Sequence, residues 1–194
     1  MTWGFAAHEA NYAHAQGYTG QGVVIAIIDT GVNCSLAEFQ CVTGLSLIPG
    51  KSPYQDDNGH GTAVASIAAA KANGSGMKGI APGASIMPIK VADANGWLPD
   101  QCLTLPAAID FALSHGADVI NISGATARWD EPGWASDCWH EAQAMNWAHS
   151  SAVVAVAAGN TVQDGDSVAY PARWNYAGMA ATGGDCGANP GDRR

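Results

Sequence analysis

Charged residues are scarce in this 194-residue chain. They make up 13% of it, about half the share of an average globular domain. Lys and Arg number only 8, two of them at the far end as Arg193 and Arg194, and the net charge is −9. A nucleic-acid-binding surface needs clustered cations to displace phosphate counterions, so the lack of any cluster excludes that class of partner. Long apolar runs are missing too. The longest, Val23 to Ile28 and Ala152 to Ala158, fall well short of the roughly 18 residues of a membrane helix, so no membrane partner is expected. Residues 1–14 hold no Lys or Arg and are interrupted by His8 and Glu9, so they do not read as an export signal. Either the protein is not exported by that route, or Met1 is not its first residue. No Cys-x-x-Cys pair occurs among Cys34, Cys41, Cys102, Cys138 and Cys186, which removes support for zinc-ribbon and thioredoxin-like readings. The odd count leaves one sulfur with a partner outside the chain or with none. Cys34 and Cys41 are close enough in sequence for a local disulfide if the protein is extracellular, and otherwise stay two thiols.

Small residues fill the gap left by charge. Ala is abundant and Gly occurs 24 times, as expected where backbones pack closely and turn tightly. With 47% apolar residues the chain can build a core rather than remain disordered. Its length suits one domain or part of a larger one.

Apolar runs alternate with helical patterns. Val23 to Ile28 is β-branched and continuously apolar, as in a strand buried on both faces. Further strands are expected at Ala84 to Val91, Asp118 to Ile122 and Ala152 to Ala157. Helices are expected at Gly61 to Ala70, with Val64, Ile67 and Ala68 on one side, and at Ser136 to Ser150. A third helix is expected at Thr104 to His115, with a Thr cap, Pro106 in its first turn and Gly116 as its stop. Strands separated by such helices imply right-handed crossovers and a mostly parallel sheet, an α/β class. Working residues in these sheets lie just past the carboxyl ends of strands, which directs attention to Asp29, Ser123 and Gly159-Asn160.

Asp29-Thr30-Gly31 follows the first strand directly. Alone it fits a turn-capping Asp or half of an aspartic protease, which would need a homodimer because the chain has no second such triplet. His60 lies in Asn58-Gly59-His60-Gly61-Thr62 at the entry to a small-residue helix. His8, His14, His115, His140 and His149 carry no His-Glu-x-x-His metal motif and read as ordinary histidines. Asn160 ends the apolar run at Ala157-Ala158-Gly159-Asn160, where it forms a turn or aims an amide N–H at a developing oxyanion.

With Gly79-Ile80-Ala81-Pro82-Gly83-Ala84, these segments resemble the subtilisin-like serine proteases, the subtilases, in the family's order and from about Trp3 to the end. The resemblance implies a three-layer sandwich around a mostly parallel sheet. It also implies an Asp-His-Ser endopeptidase acting on polypeptides through an acyl-enzyme. Asp29 would orient His60, His60 would act as base and then acid, and Asn160 would donate to the oxyanion. Gly96-Trp97-Leu98 and Ser123-Gly124-Ala125 correspond to the segments that sandwich an extended substrate. Ala157-Ala158-Gly159 and Tyr170-Pro171-Ala172 correspond to walls of the pocket for the residue before the scissile bond. Gly124 stands where the family usually has Leu, which implies a wider pocket.

The family's nucleophile lies in a Gly-Thr-Ser-x-Ala-x-Pro segment that these residues do not contain. Residues 1–194 are therefore expected to be a partial catalytic domain, incomplete at the C-terminus and inactive as given; the rival is a catalytically dead binding protein of the same shape. Lys71 to Met77 is similar to the family's calcium loop. It implies a structural Ca²⁺ with Glu38 as carboxylate, Asn73 as side-chain ligand and Lys71, Ser75 and Met77 as carbonyl ligands, against a Gly-rich turn that binds nothing. The residues around Arg128 to Asp137, rich in Trp, look longer than the family's connection and are read as packing rather than as a cover for the cleft. An extracellular monomer is the expectation for the full-length protein.

Overall fold

In the computed structural model the described residues are 5, 8–74, 76–96, 101–124, 139–157 and 180–182. Four helices and six strands are described. The helices are α1 (Ala10–Ala15), α2 (His60–Ala69), α3 (Gln101–Ser114) and α4 (Trp139–Ser151). The strands are β1 (Val24–Asp29), β2 (Leu45–Ser46), β3 (Ser85–Lys90), β4 (Val119–Ile122), β5 (Val153–Ala157) and β6 (Ala180–Thr182). Every pairing in the sheet is parallel, in the order β2-β3-β1-β4-β5-β6. The chain moves from β1 outward to β2 and β3 on one side, then returns to place β4 on the other. The carboxyl end of β1, which is Asp29, therefore lies where the winding reverses, the usual position of a site in such sheets.

Alternation along β1 builds two cores. Ala26 and Ile28 face Met87, Ile89, Ile120, Ile122, Val154 and Val156, covered by Leu105, Ala108, Ile109 and Ala112 of α3 and by Ala144, Met145 and Ala148 of α4. Ile25 and Ile27 face the opposite layer with Val32, Phe39, Ile86 and the α2 residues Ala65 and Ala69. The result is the three-layer α/β arrangement expected. Every helix and strand read from the sequence is present. Not anticipated were α1, the two-residue edge strand β2 and the short β6, all too brief to impose a period on the sequence.

Two details differ. Helix α3 starts at Gln101, so Thr104 is helical rather than a cap and Pro106 lies inside the helix. The stripe Leu105, Ala108, Ile109 and Ala112 is fully buried, and Cys102 of the first turn is half-buried and disulfide-bonded. Tertiary attachment of that turn outweighs the local cap signal. The expected stop holds. Gly116 takes φ 79°, and the amides of Gly116 and Ala117 reach back to the carbonyls of Leu113 and Ala112. In α2 the packing face is Gly61, Ala65 and Ala69, while Ile67 is 59% exposed. Small side chains let this helix lie close to β1, and a larger face would hold it off.

Cys34 and Cys41 form a disulfide, with Cα atoms 6.1 Å apart. Among the described residues no helix is long and apolar enough to cross a membrane.

Candidate active site

Asp29 ends β1 with 5% of its surface exposed. His60 opens α2, 31 residues later. Its Nδ1 stands 2.8 Å from Oδ1 and 2.9 Å from Oδ2 of Asp29. A carboxylate only accepts, so Nδ1 carries the proton and Nε2 is the ring nitrogen with a free lone pair. The side chain of His60 is 53% exposed and that of Asp29 3%, so a buried anion backs an imidazole open to solvent. The Thr30 amide donates to Asp29 Oδ1 at 2.7 Å and fixes the carboxylate's orientation.

The close approach of α2 to β1 depends on two glycines. A Cβ at Gly61 would collide with the carbonyl oxygen of Gly31 and stand 3.1 Å from Asp29 Oδ1. Gly31 itself has φ 99°, and a Cβ there would collide with the carbonyl of Gln55.

The amides at the start of α2 have no intrahelical partners, yet each is satisfied. Asp56 Oδ1 accepts from Gly59 at 2.8 Å, and Oδ2 accepts from the Thr62 amide at 2.8 Å and the Thr62 hydroxyl at 2.6 Å. Asn58 Oδ1 accepts from the His60 amide at 3.1 Å. Thr30 Oγ1 accepts from the Gly61 amide at 2.9 Å and donates to Asp56 Oδ1 at 2.8 Å. Partial burial disfavours the Asp56 anion, but the hydrogen bonds from Thr62, Gly59 and Thr30 outweigh it and hold the pKa below the ordinary value. Thr30, Asp56, Asn58 and Thr62 are site residues that sequence reasoning missed. The signal was an Asp three residues ahead of the helix N-cap, Gly59, and a Thr three residues after it.

Gly96 takes φ 77° and lies beside the His60 loop, because Asn58 Nδ2 donates to Ala94 at 2.9 Å. Ser123 and Gly124 follow β4, and Ala157 ends β5, so all three lie at the same carboxyl edge of the sheet as Asp29. Ser123 Oγ accepts from Asn121 Nδ2 at 2.7 Å. No described atom lies within 4 Å of where a Cβ on Gly124 would stand. Trp97, Leu98, Ala125, Ala158, Gly159, Asn160, the segment 170–172 and the Trp-rich segment 128–137 lie outside the described residues.

A second cluster forms where the Cys34–Cys41 loop meets the segment after α2. Glu38 Oε1 accepts from Asn73 Nδ2 at 3.0 Å, and the Glu38 carbonyl accepts from the Lys71 amide at 3.0 Å. Glu38 Oε2 is buried without a hydrogen-bond partner among the described residues. The amides of Gly79, Ile80 and Ala81 donate to the carbonyls of Ala70, Ile67 and Ala68, so the 71–78 loop departs from α2 and returns to cap it. The structure thus brings Glu38, Lys71 and Asn73 together. Ser75 lies outside the described residues, and Met77 is at the surface. An open cavity of about 560 Å³ between Asn33–Ser35 and Tyr54–Asp56 contains neither Asp29 nor His60.

Comparison with known proteins gives a consistent picture. The model of the Subtilase family matches residues 20–184. Subtilisin DY of Bacillus licheniformis is 36% identical over 183 residues, covering 90% of this chain and 61% of its own length. Subtilisin Savinase of Lederbergia lenta is 36% identical over 183 residues, covering 94% of this chain and 63% of its own length. Subtilisin E of Bacillus subtilis (strain 168) is 36% identical over 182 residues, with 90% and 44% covered. The chain therefore spans between about two fifths and two thirds of these relatives.

Proposed function

From the premise that the chain belongs to the subtilase family, we propose that the protein is a serine-type endopeptidase in which Asp29 and His60 are two members of the catalytic triad. The observation that carries this reading is the Nδ1–carboxylate pairing at 2.8 and 2.9 Å, with Asp29 buried and His60 open. Such a pair has one chemical use that a capping Asp does not. Nε2 takes the proton of an attacking hydroxyl, and the imidazolium that results is stabilised by the adjacent anion. Nε2 then returns that proton to the leaving amine. With both Asp29 oxygens turned to His60, the aspartic-protease alternative loses its support.

The nucleophile is a serine in the family's Gly-Thr-Ser-x-Ala-x-Pro context, a segment not found within the 194 residues. Asn160 donates to the oxyanion. Gly96 to Leu98 and Ser123 to Ala125 bind the substrate as an extended strand, and Gly124, with no described atom near the place of a Cβ, gives a wide pocket with weak side-chain preference. The substrates are polypeptides, and the protein works outside the cell as a monomer. The Cys34–Cys41 disulfide fits an oxidising compartment.

Calcium fits the Glu38 loop. Glu38 Oε2 is a buried anionic oxygen lacking a partner among the described residues, and a hard cation satisfies it. Asn73 through its amide oxygen, and Lys71, Ser75 and Met77 through their carbonyls, would be the remaining ligands. When bound, the ion would supply rigidity to the loop and no step of the reaction.

Labelling of the full-length protein with a serine-directed phosphonate tests the reading. Stoichiometric labelling, lost in His60→Ala, is expected. A folded protein that binds peptides without labelling would establish the dead binding protein instead.

A further inference from the structure

Lys90 closes β3 with 1% of its surface exposed, on a strand whose neighbouring residues Ile86, Met87 and Ile89 are all buried and apolar. Burying an ammonium is costly, and an unbranched apolar side chain would fill the same space without that cost. What the charge adds is two contacts. Lys90 Nζ donates to the Thr30 carbonyl, one residue past Asp29, and to Asp57 Oδ1 at 2.7 Å, three residues before His60. Lys90 is also the register partner of Asp29 in the sheet, and the next amide, Val91, donates to the Asp29 carbonyl at 2.8 Å. The end of β3 thus holds the Asp29 loop through its backbone and the His60 loop through Asp57. The second oxygen of Asp57 pairs with Lys51 at 2.9 Å, but Lys51 is half exposed, and such surface pairs hold geometry weakly.

We propose that Lys90 is a positioning residue for the Asp29–His60 pair, acting through the Thr30 carbonyl and the Asp57 carboxylate. This deepens the peptidase reading and rests on it for its catalytic consequence. Thr30 Oγ1 already links the two loops, donating to Asp56 and accepting from the Gly61 amide. Lys90 adds a hold on the peptide between Thr30 and Gly31, which adjoins the Gly31 carbonyl against which Gly61 packs. Loss of the ammonium lets that peptide rotate and the helix start drift from Asp29.

The test uses the full-length protein and Lys90→Met. In this variant Asp57 keeps Lys51 and solvent as partners, so no charge is stranded. The first readout is the proton magnetic resonance of the His60 Nδ1 hydrogen, which a hydrogen bond to a buried carboxylate moves far downfield. In Lys90→Met this signal is expected to broaden or vanish while circular dichroism stays native. Ile109→Val, a core change in α3 away from the site, is the control and keeps the signal at equal or greater loss of thermal stability. The second readout is peptide hydrolysis, with kcat lowered about 10- to 100-fold and KM changed less than about twofold, as for a small misplacement of the catalytic pair. Asp57→Asn removes the charge that ties the His60 loop to Lys90, and with it the Lys51 pair, leaves the Thr30 contact in place, and should weaken the same signal. An unchanged downfield signal and kcat in a folded Lys90→Met would overturn the proposal. If Lys90→Met fails to fold, an unchanged signal in Asp57→Asn does so. A protein whose signal depends on Lys90 but that never labels with phosphonate keeps the positioning role and loses the peptidase reading.

Discussion

His60 Nδ1 meets both carboxylate oxygens of Asp29, at 2.8 and 2.9 Å, across 31 residues of chain and two different elements. The carboxylate decides which ring nitrogen carries the proton. Asp29→Asn keeps the shape but offers an amide N–H to the ring, favouring the tautomer with Nδ1 as acceptor and Nε2 protonated. A protonated Nε2 cannot act as base. Turnover of the full-length enzyme at neutral pH is expected to fall by a factor on the order of 10⁴, with KM little changed. Steady-state kinetics on a peptide substrate check this, and a loss below tenfold would remove Asp29 from the triad.

Asp56 holds the start of α2 from outside the helix, with hydrogen bonds to Thr30, Asn58, Gly59 and Thr62. Asp56→Ala strands these donors together, so its cost should exceed that of an ordinary cap. We expect a loss of about 2 kcal/mol or more, a fall in Tm of roughly 4–8 °C at this chain size. Asp56→Asn keeps one acceptor oxygen and should lose about half as much. Thermal melts of the two variants give the comparison, and equal melting of Asp56→Ala and wild type would refute the hub role.

Much of this site was legible because it lies where local signals are strong. The β-branched run into Asp29 marks a buried strand and its carboxyl end, and the glycines around His60 mark a close approach. Asp56, Asp57 and Lys90 were not legible. Adjacent acids ahead of a helix read as solvated, and a Lys closing a strand reads as its polar end. Their roles come from partners 26 and 33 residues away, a pairing that only the sheet order creates. Ile67 misled for a related reason. Its size suggests a core position, but the helix needs Gly61, Ala65 and Ala69 on that face to reach β1. Strand β2 is two residues long, and no period can announce it.

The acidic pair also sets the response to low pH. Hydrogen bonding to Lys90, then to Lys51, lowers the pKa of Asp57 from 3.8 to about 2. A depressed folded-state value means the stabilisation is complete above the unfolded value and is lost as pH falls from 3.8 through about 2. Asp56 adds to the loss in the same direction. Tm should therefore drop steeply in that window. Asp57→Asn, already less stable at neutral pH, should show a shallower drop there. Parallel Tm–pH curves for wild type and variant would contradict the assignment.

Calcium and the Cys34–Cys41 disulfide should be coupled through Glu38. The disulfide closes the loop on which Glu38 lies, and Phe39 beside it is buried, so the carboxylate meets Asn73 from a constrained backbone. A loop ordered in advance loses less entropy when an ion arrives. Excess Ca²⁺ at about 100 times its Kd should stabilise the full-length protein by about 2.7 kcal/mol over the chelator-treated form. Glu38→Gln, which keeps the shape and removes the charge, should abolish most of that shift. The double variant Cys34→Ala, Cys41→Ala should bind Ca²⁺ more weakly while retaining the ligands. Titration calorimetry separates the two effects. Equal affinity with and without the disulfide would mean that the loop is held by Phe39 and the Lys71 amide alone. A Tm that ignores chelator would mean that Glu38 Oε2 is satisfied without a metal.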